Sequence, residues 1–151
     1  MTFGIHRTNY LVKSEDLNHH GTLYAGRSSE WFVGSGFICV AYNLEPSSIV
    51  CLRVHGIEFL SPVRAGHIVT YSAQIVRTGR TTIMVYVEAR DYRSPEVLIS
   101  RGFITFCHVD SSTHSEPHGL EFIPQNEREV ELNNQANELN RQAKELNKKV
   151  I

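Results

Sequence analysis

No run of about 18 apolar residues occurs in this chain, so the length of hydrocarbon that a membrane-spanning helix must match is missing. The opening residues MTFGIHRTNY lack the basic-then-apolar layout of a signal peptide, and a soluble, cytoplasmic chain is the expectation. Charge of one sign is lacking too. Fifteen Lys and Arg stand against sixteen Asp and Glu, a formal net charge of -1. No long-range field therefore draws the molecule toward nucleic acid or an anionic membrane. An anionic ligand would have to be held by a local cluster of cations. Cysteine is scarce and odd in number. Cys39, Cys51 and Cys107 lie far apart in apolar surroundings, which predicts reduced core thiols rather than disulfides or a metal framework.

What is present suits one core. A chain of 151 residues, 41% of them hydrophobic, can bury about two-thirds of its unfolded surface as a single domain. Residues 3–12, FGIHRTNYLV, are β-prone, and KSEDLNHHGT after them is polar and turn-like. From about Arg27 to Tyr42 the pattern turns helical, with Phe37, Val40, Ala41 and Leu44 spaced behind Trp31. Gly34, Ser35 and Gly36 sit in the middle of it. Each such glycine costs about 1 kcal/mol relative to alanine, so something must pack closely against this helix. Four segments rich in β-branched and aromatic residues follow, at 49–60, 67–78, 80–91 and 97–110. The breaks between them are too short for crossover helices, which predicts an antiparallel sheet and an α+β layout. In TTIMVYVEA, Ile83, Val85, Val87 and Ala89 alternate with Thr82, Met84, Tyr86 and Glu88, predicting one dry and one wetter face.

The tail differs in kind, dividing the chain into a domain over 1–124 and a helical tail over 125–151. Leu132, Leu139 and Leu146 recur every seventh residue, with Ala136, Ala143 and Val150 four residues after each. A seam this short, with alanine at two positions, is too weak for a free coiled coil. It is expected to lie as an amphipathic helix on the domain or on a neighbouring subunit. Asn133, Asn140 and Asn147 lower its intrinsic helix propensity.

The order of strand, polar turn, small-residue helix and four long antiparallel strands resembles the hotdog fold, specifically its acyl-CoA thioesterases. NHHGTLYAG looks like the family's approach to the central helix, N-x-x-G-x-x-aromatic-x-G. LRVHGIEFLSPVRAGHIV is similar to the stretch where a strand ends in F-x-x-P-V before a glycine. VRTGRTTIMVYVE looks like the turn between the long strands, and GFITFCHVD resembles the last strand. The resemblance covers roughly residues 5 to 110. It implies a long antiparallel sheet wrapped around one central helix, hydrolysis of acyl-CoA with no cofactor beyond the coenzyme A of the substrate, and a homodimer or trimer of dimers. In such dimers helix and carboxylate come from opposite subunits.

The residues themselves allow that chemistry. A helix starting near Ala25 and Gly26 offers free N–H groups and the positive end of its dipole to a carbonyl oxygen. Gly26 would let a substrate approach the backbone. Asn18 can donate to the same oxygen, where negative charge develops in the transition state, or it can simply close an Asx-turn. The carboxylate is what the motif lacks: the position where these thioesterases carry an acid is Val33. Glu30, one turn nearer the helix start, is the preferred replacement, with Asp16 and His20 as the other candidates. Glu30 could equally be a solvated glutamate that complements the helix dipole. For the coenzyme A phosphates the candidates are Arg64, Gly79, Arg80, Thr81 and Thr82. No metal site is expected, since adjacent His19 and His20 seldom converge and SSTHSEPHG around His114 and His118 reads as loop. DLNHH also partly resembles the Asp-x-Asn-Pro-x-His dyad of hotdog enoyl-CoA hydratases, without the proline and with His20 one residue early. A non-catalytic acyl-CoA-binding module is the third reading, suggested by Val33.

Overall fold

The computed structural model describes residues 3–149. Its elements are β1 (Ile5–Leu11), α1 (Ala25–Ala41), β2 (Ile49–Phe59), β3 (Ile68–Thr78), β4 (Thr82–Asp91), β5 (Leu98–His108) and α2 (Glu127–Lys149). The five strands form one antiparallel sheet in the order β1-β3-β4-β5-β2. Helix α1 packs across one face and α2 lies on the other. This is the hotdog arrangement the sequence led us to expect.

The central helix is seated by small side chains. Its buried residues are Ser28, Phe32, Ser35, Gly36, Cys39 and Val40, one stripe at helical spacing. That stripe is rotated from the one anticipated, because Trp31, Phe37, Ala41 and Leu44 only flank the core. A Cβ on Gly36 would come within 2.9 Å of the Ile104 side chain, so this glycine sets how closely α1 approaches β5. Gly34 faces open space, and its cost to the helix is not recovered by packing. On the sheet side, a Cβ on Gly102 would overlap the Gly56 carbonyl and lie 3.0 Å from the Phe32 ring. Gly56 itself has φ +110°, within the stretch where the β2–β5 register shifts. Trp31 stacks on Tyr10 of β1 with ring centroids 4.4 Å apart, fixing the helix against the edge strand.

The wetter face is drier than predicted. Ile83, Val85, Val87 and Ala89 are fully buried against α1, but Met84 and Tyr86 on the opposite face are buried as well. The cause is α2: Leu132, Ala136 and Leu139 cover Val76, Met84, Tyr86 and Phe103. The docking of the tail on the domain is thereby realised, and Val150 of the heptad pattern lies outside the described residues. The asparagines that weaken helix propensity have uses in the docked state. Asn133 donates to the Val76 carbonyl at 2.8 Å, and Asn147 accepts from Arg53 at 3.0 Å. Of the three thiols, Cys39 and Cys107 are buried, and burial pushes Cys39 up to about 12. Cys51 is exposed on the edge strand β2, so the expectation of a core thiol fails there. Among the described residues no helix is long and apolar enough to cross a membrane.

Candidate active site

The loop before α1 is built by its own polar residues. Asn18 Oδ1 accepts from the backbone N–H of His20 at 2.9 Å and of Thr22 at 3.2 Å, while Gly21 takes φ +77° to close the turn. The Asn18 amide donates to Thr22 Oγ1 at 3.1 Å. Its second amide hydrogen has no protein acceptor among the described residues. The loop is then pinned to the chain after β2, where Leu23 N donates to the Val63 carbonyl at 2.7 Å.

These contacts place the start of α1 over a cavity of about 340 Å³. Asn18, Thr22, Ser28 and Ser61 supply its polar side chains, while Phe59, Leu60, Val63 and Ile99 supply apolar wall. The helix has no side-chain cap, and the N–H groups of Ala25, Gly26 and Arg27 have no partner among the described residues. Uncapped N–H groups, a helix dipole and a free amide hydrogen thus sit together beside an apolar slot. Such a site can polarise a carbonyl attached to an acyl chain. The space a side chain would need at Gly26 holds the ring of Tyr24, 2.5 Å from the ideal Cβ position, and Tyr24 is itself exposed.

The carboxylates stand elsewhere. Asp16 is buried, but both oxygens are engaged, one by the Lys13 N–H at 2.9 Å and the other by Arg27 Nε at 3.1 Å. Glu30 is 68% exposed and makes a 3.5 Å contact with Arg27. His20 is exposed, its ring tilted by 42° against that of His19. None of the three lines the cavity. Val33 packs against the core. The polar residues that sequence reading passed over are Thr22, Ser28 and Ser61. Ser28 Oγ bonds to Tyr71 OH at 2.8 Å in the interior, and burial pushes the Tyr71 phenol up to about 12. No local signal in the sequence joins Ser28 to a tyrosine on β3.

The residues chosen for coenzyme A divide into two places. Gly79, Arg80, Thr81 and Thr82 form the β3–β4 turn and line one groove together. Arg64 is exposed and pairs through its backbone with Thr22, away from that turn. Gly79 N donates to the Thr82 carbonyl at 2.8 Å, and a Cβ at Gly79 would meet Thr82 Oγ1 at 2.6 Å. His118 Nε2 lies 3.0 Å from the same carbonyl, and Leu120 N donates to His118 Nδ1 at 2.9 Å. Both nitrogens of His118 therefore serve the loop. No group of His, Cys, Asp or Glu that could hold a metal is found among the described residues.

Known proteins share this framework. Over 79 residues the chain is 30% identical to the acyl-CoA thioester hydrolase YciA of Salmonella typhimurium, a match covering 52% of this chain. The chain spans only 58% of the length of that relative. An acyl-CoA hydrolase structure from Bacillus cereus superposes with a TM-score of 0.83 at 26% identity, covering 97% of this chain and 92% of the other. A hexameric acyl-CoA thioesterase in its apo form superposes at 0.84 with 24% identity, over 93% of this chain and 91% of its own. Residues 20–97, from the Asn18 turn through the whole of β4 to the residue before β5, match the model of the thioesterase superfamily, and to that family the chain belongs.

Proposed function

We propose that the chain hydrolyses an acyl-CoA thioester to the free acid and coenzyme A, with no metal required. The observation that carries this reading is the uncapped start of α1 above a cavity with an apolar wall. The thioester oxygen sits at the N–H groups of Ala25 and Gly26 and the amide of Asn18, and the acyl chain runs along Phe59, Leu60 and Ile99. Water adds to the carbonyl carbon, charge collects on that oxygen, and the C–S bond then breaks as the thiolate leaves and takes up a proton. The names and substrates of the YciA relative and of the solved acyl-CoA hydrolases support the same substrate class.

The base is Glu30 of a second protomer. Among the described residues no titratable side chain lines the cavity, whereas Glu30 projects into solvent from α1. The cavity adjoins Phe59, the last residue of β2. β2 is an open edge of the sheet and exposes Val50, Leu52, Val54 and Phe59. An unpaired, apolar edge strand is a template for pairing with another chain. A homodimer joined there, and a trimer of dimers built from it, brings a partner helix to each cavity; one structural neighbour is hexameric. The cytoplasm is the proposed location.

A thiol-release assay over a panel of acyl-CoA chain lengths tests this reading on wild type and Glu30→Gln. Turnover by wild type and its loss in Glu30→Gln is the expected result. Turnover untouched in Glu30→Gln moves the base to Asp16 or His20. The binding-module reading has one observation in its favour, the lack of a carboxylate in the cavity of one protomer. Binding of acyl-CoA without turnover would establish it.

A further inference from the structure

The second half of α2 does something the core does not need. Beyond Leu139 the helix rises off the packed cluster, and Leu146 is 53% exposed. Beneath this part lies a groove of about 600 Å³, the largest among the described cavities and of a size that holds small ligands. Four cations line it: Arg53 from β2, Arg77 from the end of β3, Arg80 from the β3–β4 turn, and Lys144 from α2. Among the described residues its lining contains no carboxylate. In a molecule with a formal net charge of -1, that is a strong local segregation of charge. The neighbouring groove under the first half of the same helix is balanced, with Glu58 and Glu131 beside Arg101 and Arg128.

The cations are held in place without being neutralised. Arg53 donates to Asn147 at 3.0 Å and Arg77 Nε to Asn137 at 2.9 Å, both uncharged amides. Arg77 Nη1 is buried with no hydrogen-bond partner among the described residues, and burial lowers the pKa of this guanidinium. A buried, unpaired cationic donor is costly unless a ligand completes it. Asn140 also lines the groove, and its side chain has no protein partner among the described residues. Position tells more. Arg53 and Phe59 are six residues apart on one extended strand, roughly 20 Å. The cationic groove thus flanks the middle of β2 on the sheet face that carries α2, and the apolar cavity lies at the Phe59 end on the face that carries α1. A ligand that uses both must be long, apolar at one end and polyanionic at the other, as an acyl-CoA is.

We propose that the groove between the second half of α2 and the β3–β4 turn receives the phosphorylated nucleotide of the substrate, with Lys144 and Asn140 of the C-terminal helix contacting its phosphates. This inference rests on the acyl-CoA reading above and gives the tail a role in substrate binding. Calorimetric titration of the full chain with adenosine 3′,5′-bisphosphate tests it apart from turnover. Lys144→Met is expected to weaken binding by about 5- to 10-fold, the loss of one charge-assisted contact. Lys148→Met, whose lysine pairs with Glu145 outside the groove, serves as the control and leaves binding unchanged. In the thiol-release assay Lys144→Met raises KM for acyl-CoA with kcat retained, and leaves KM for the corresponding acyl-pantetheine, which has no nucleotide, as in wild type. If wild type hydrolyses acyl-CoA and Lys144→Met changes neither KM nor nucleotide binding, this inference fails and the thioesterase reading stands. If nucleotide binding is weakened in Lys144→Met but wild type turns over no thioester, the groove stands and the hydrolase reading fails.

Discussion

Asn18 holds two roles that chemistry can separate. Its side-chain oxygen accepts the bonds that close the turn, while its amide is the group proposed to polarise the thioester. Asn18→Asp keeps an oxygen acceptor and removes the donor, so the fold should persist, by circular dichroism and thermal melting, while kcat falls about 100-fold. Arg27 is the charged partner of buried Asp16. Arg27→Met leaves that carboxylate with only the Lys13 N–H and should cost about 1–3 kcal/mol in urea denaturation, since Arg27 is itself partly solvated. His55 titrates in the opposite sense from a paired histidine. Burial, then the charge of Arg53, lowers its pKa below the ordinary value of 6.5, so the folded state prefers the neutral ring beside Thr105. The unfolded chain takes up the proton first as pH falls. The stability this histidine contributes is complete above about 6.5 and is lost on acidification below it. Melting curves for wild type and His55→Gln should therefore converge as pH drops. The turn at Asn18 and Gly21 was legible in the sequence because turn chemistry is local. The Ser28–Tyr71 and Asp16–Arg27 pairs were not, because no residue pattern announces which polar side chains a fold will bury together.

Among the elements, α1 gives the sharpest contrast, in two glycines two residues apart. Gly36→Val forces a side chain against Ile104, where a Cβ has only 2.9 Å, and should destabilise by about 1–3 kcal/mol. Gly34→Ala meets nothing within 4 Å and should stabilise by about 0.5–1 kcal/mol, because alanine loses less backbone freedom in a helix. Denaturant titration of the pair checks both signs, and a destabilising Gly34→Ala would mean that the open side of the helix is covered in the assembled protein. Small residues in a helix announced a close neighbour, but periodicity alone could not tell Gly36 from Gly34. The same limit applied to β4. Alternation identified its inner face correctly, yet the outer face was dried by a helix some forty residues later, whose docking no strand pattern could reveal. The heptad of that helix was readable, and its asparagines, which looked like a weakness in isolation, became legible only once Val76 and Arg53 stood opposite them.

At the scale of the whole molecule, the protomer holds a cavity at the Phe59 end of β2, a cationic groove beside the middle of that strand on the other face of the sheet, and an exposed apolar edge along β2. Sedimentation velocity should find an oligomer in wild type, and Leu52→Asp with Val54→Asp should shift it to monomer with loss of turnover. A monomeric wild type that hydrolyses acyl-CoA would remove the need for a second protomer's Glu30. The fold was largely legible because five β-rich segments and two helical ones occur in an order that few architectures accommodate. The base was not, because none of the carboxylates and histidines that the sequence offered lines the cavity of one protomer. The most direct measurement is kcat for acyl-CoA hydrolysis by wild type beside Asn18→Asp, both shown to be folded. The account predicts steady turnover by wild type and a fall of about 100-fold without the amide donor. A wild-type protein that binds acyl-CoA yet releases no thiol, or an Asn18→Asp protein that turns over as fast as wild type, would contradict it.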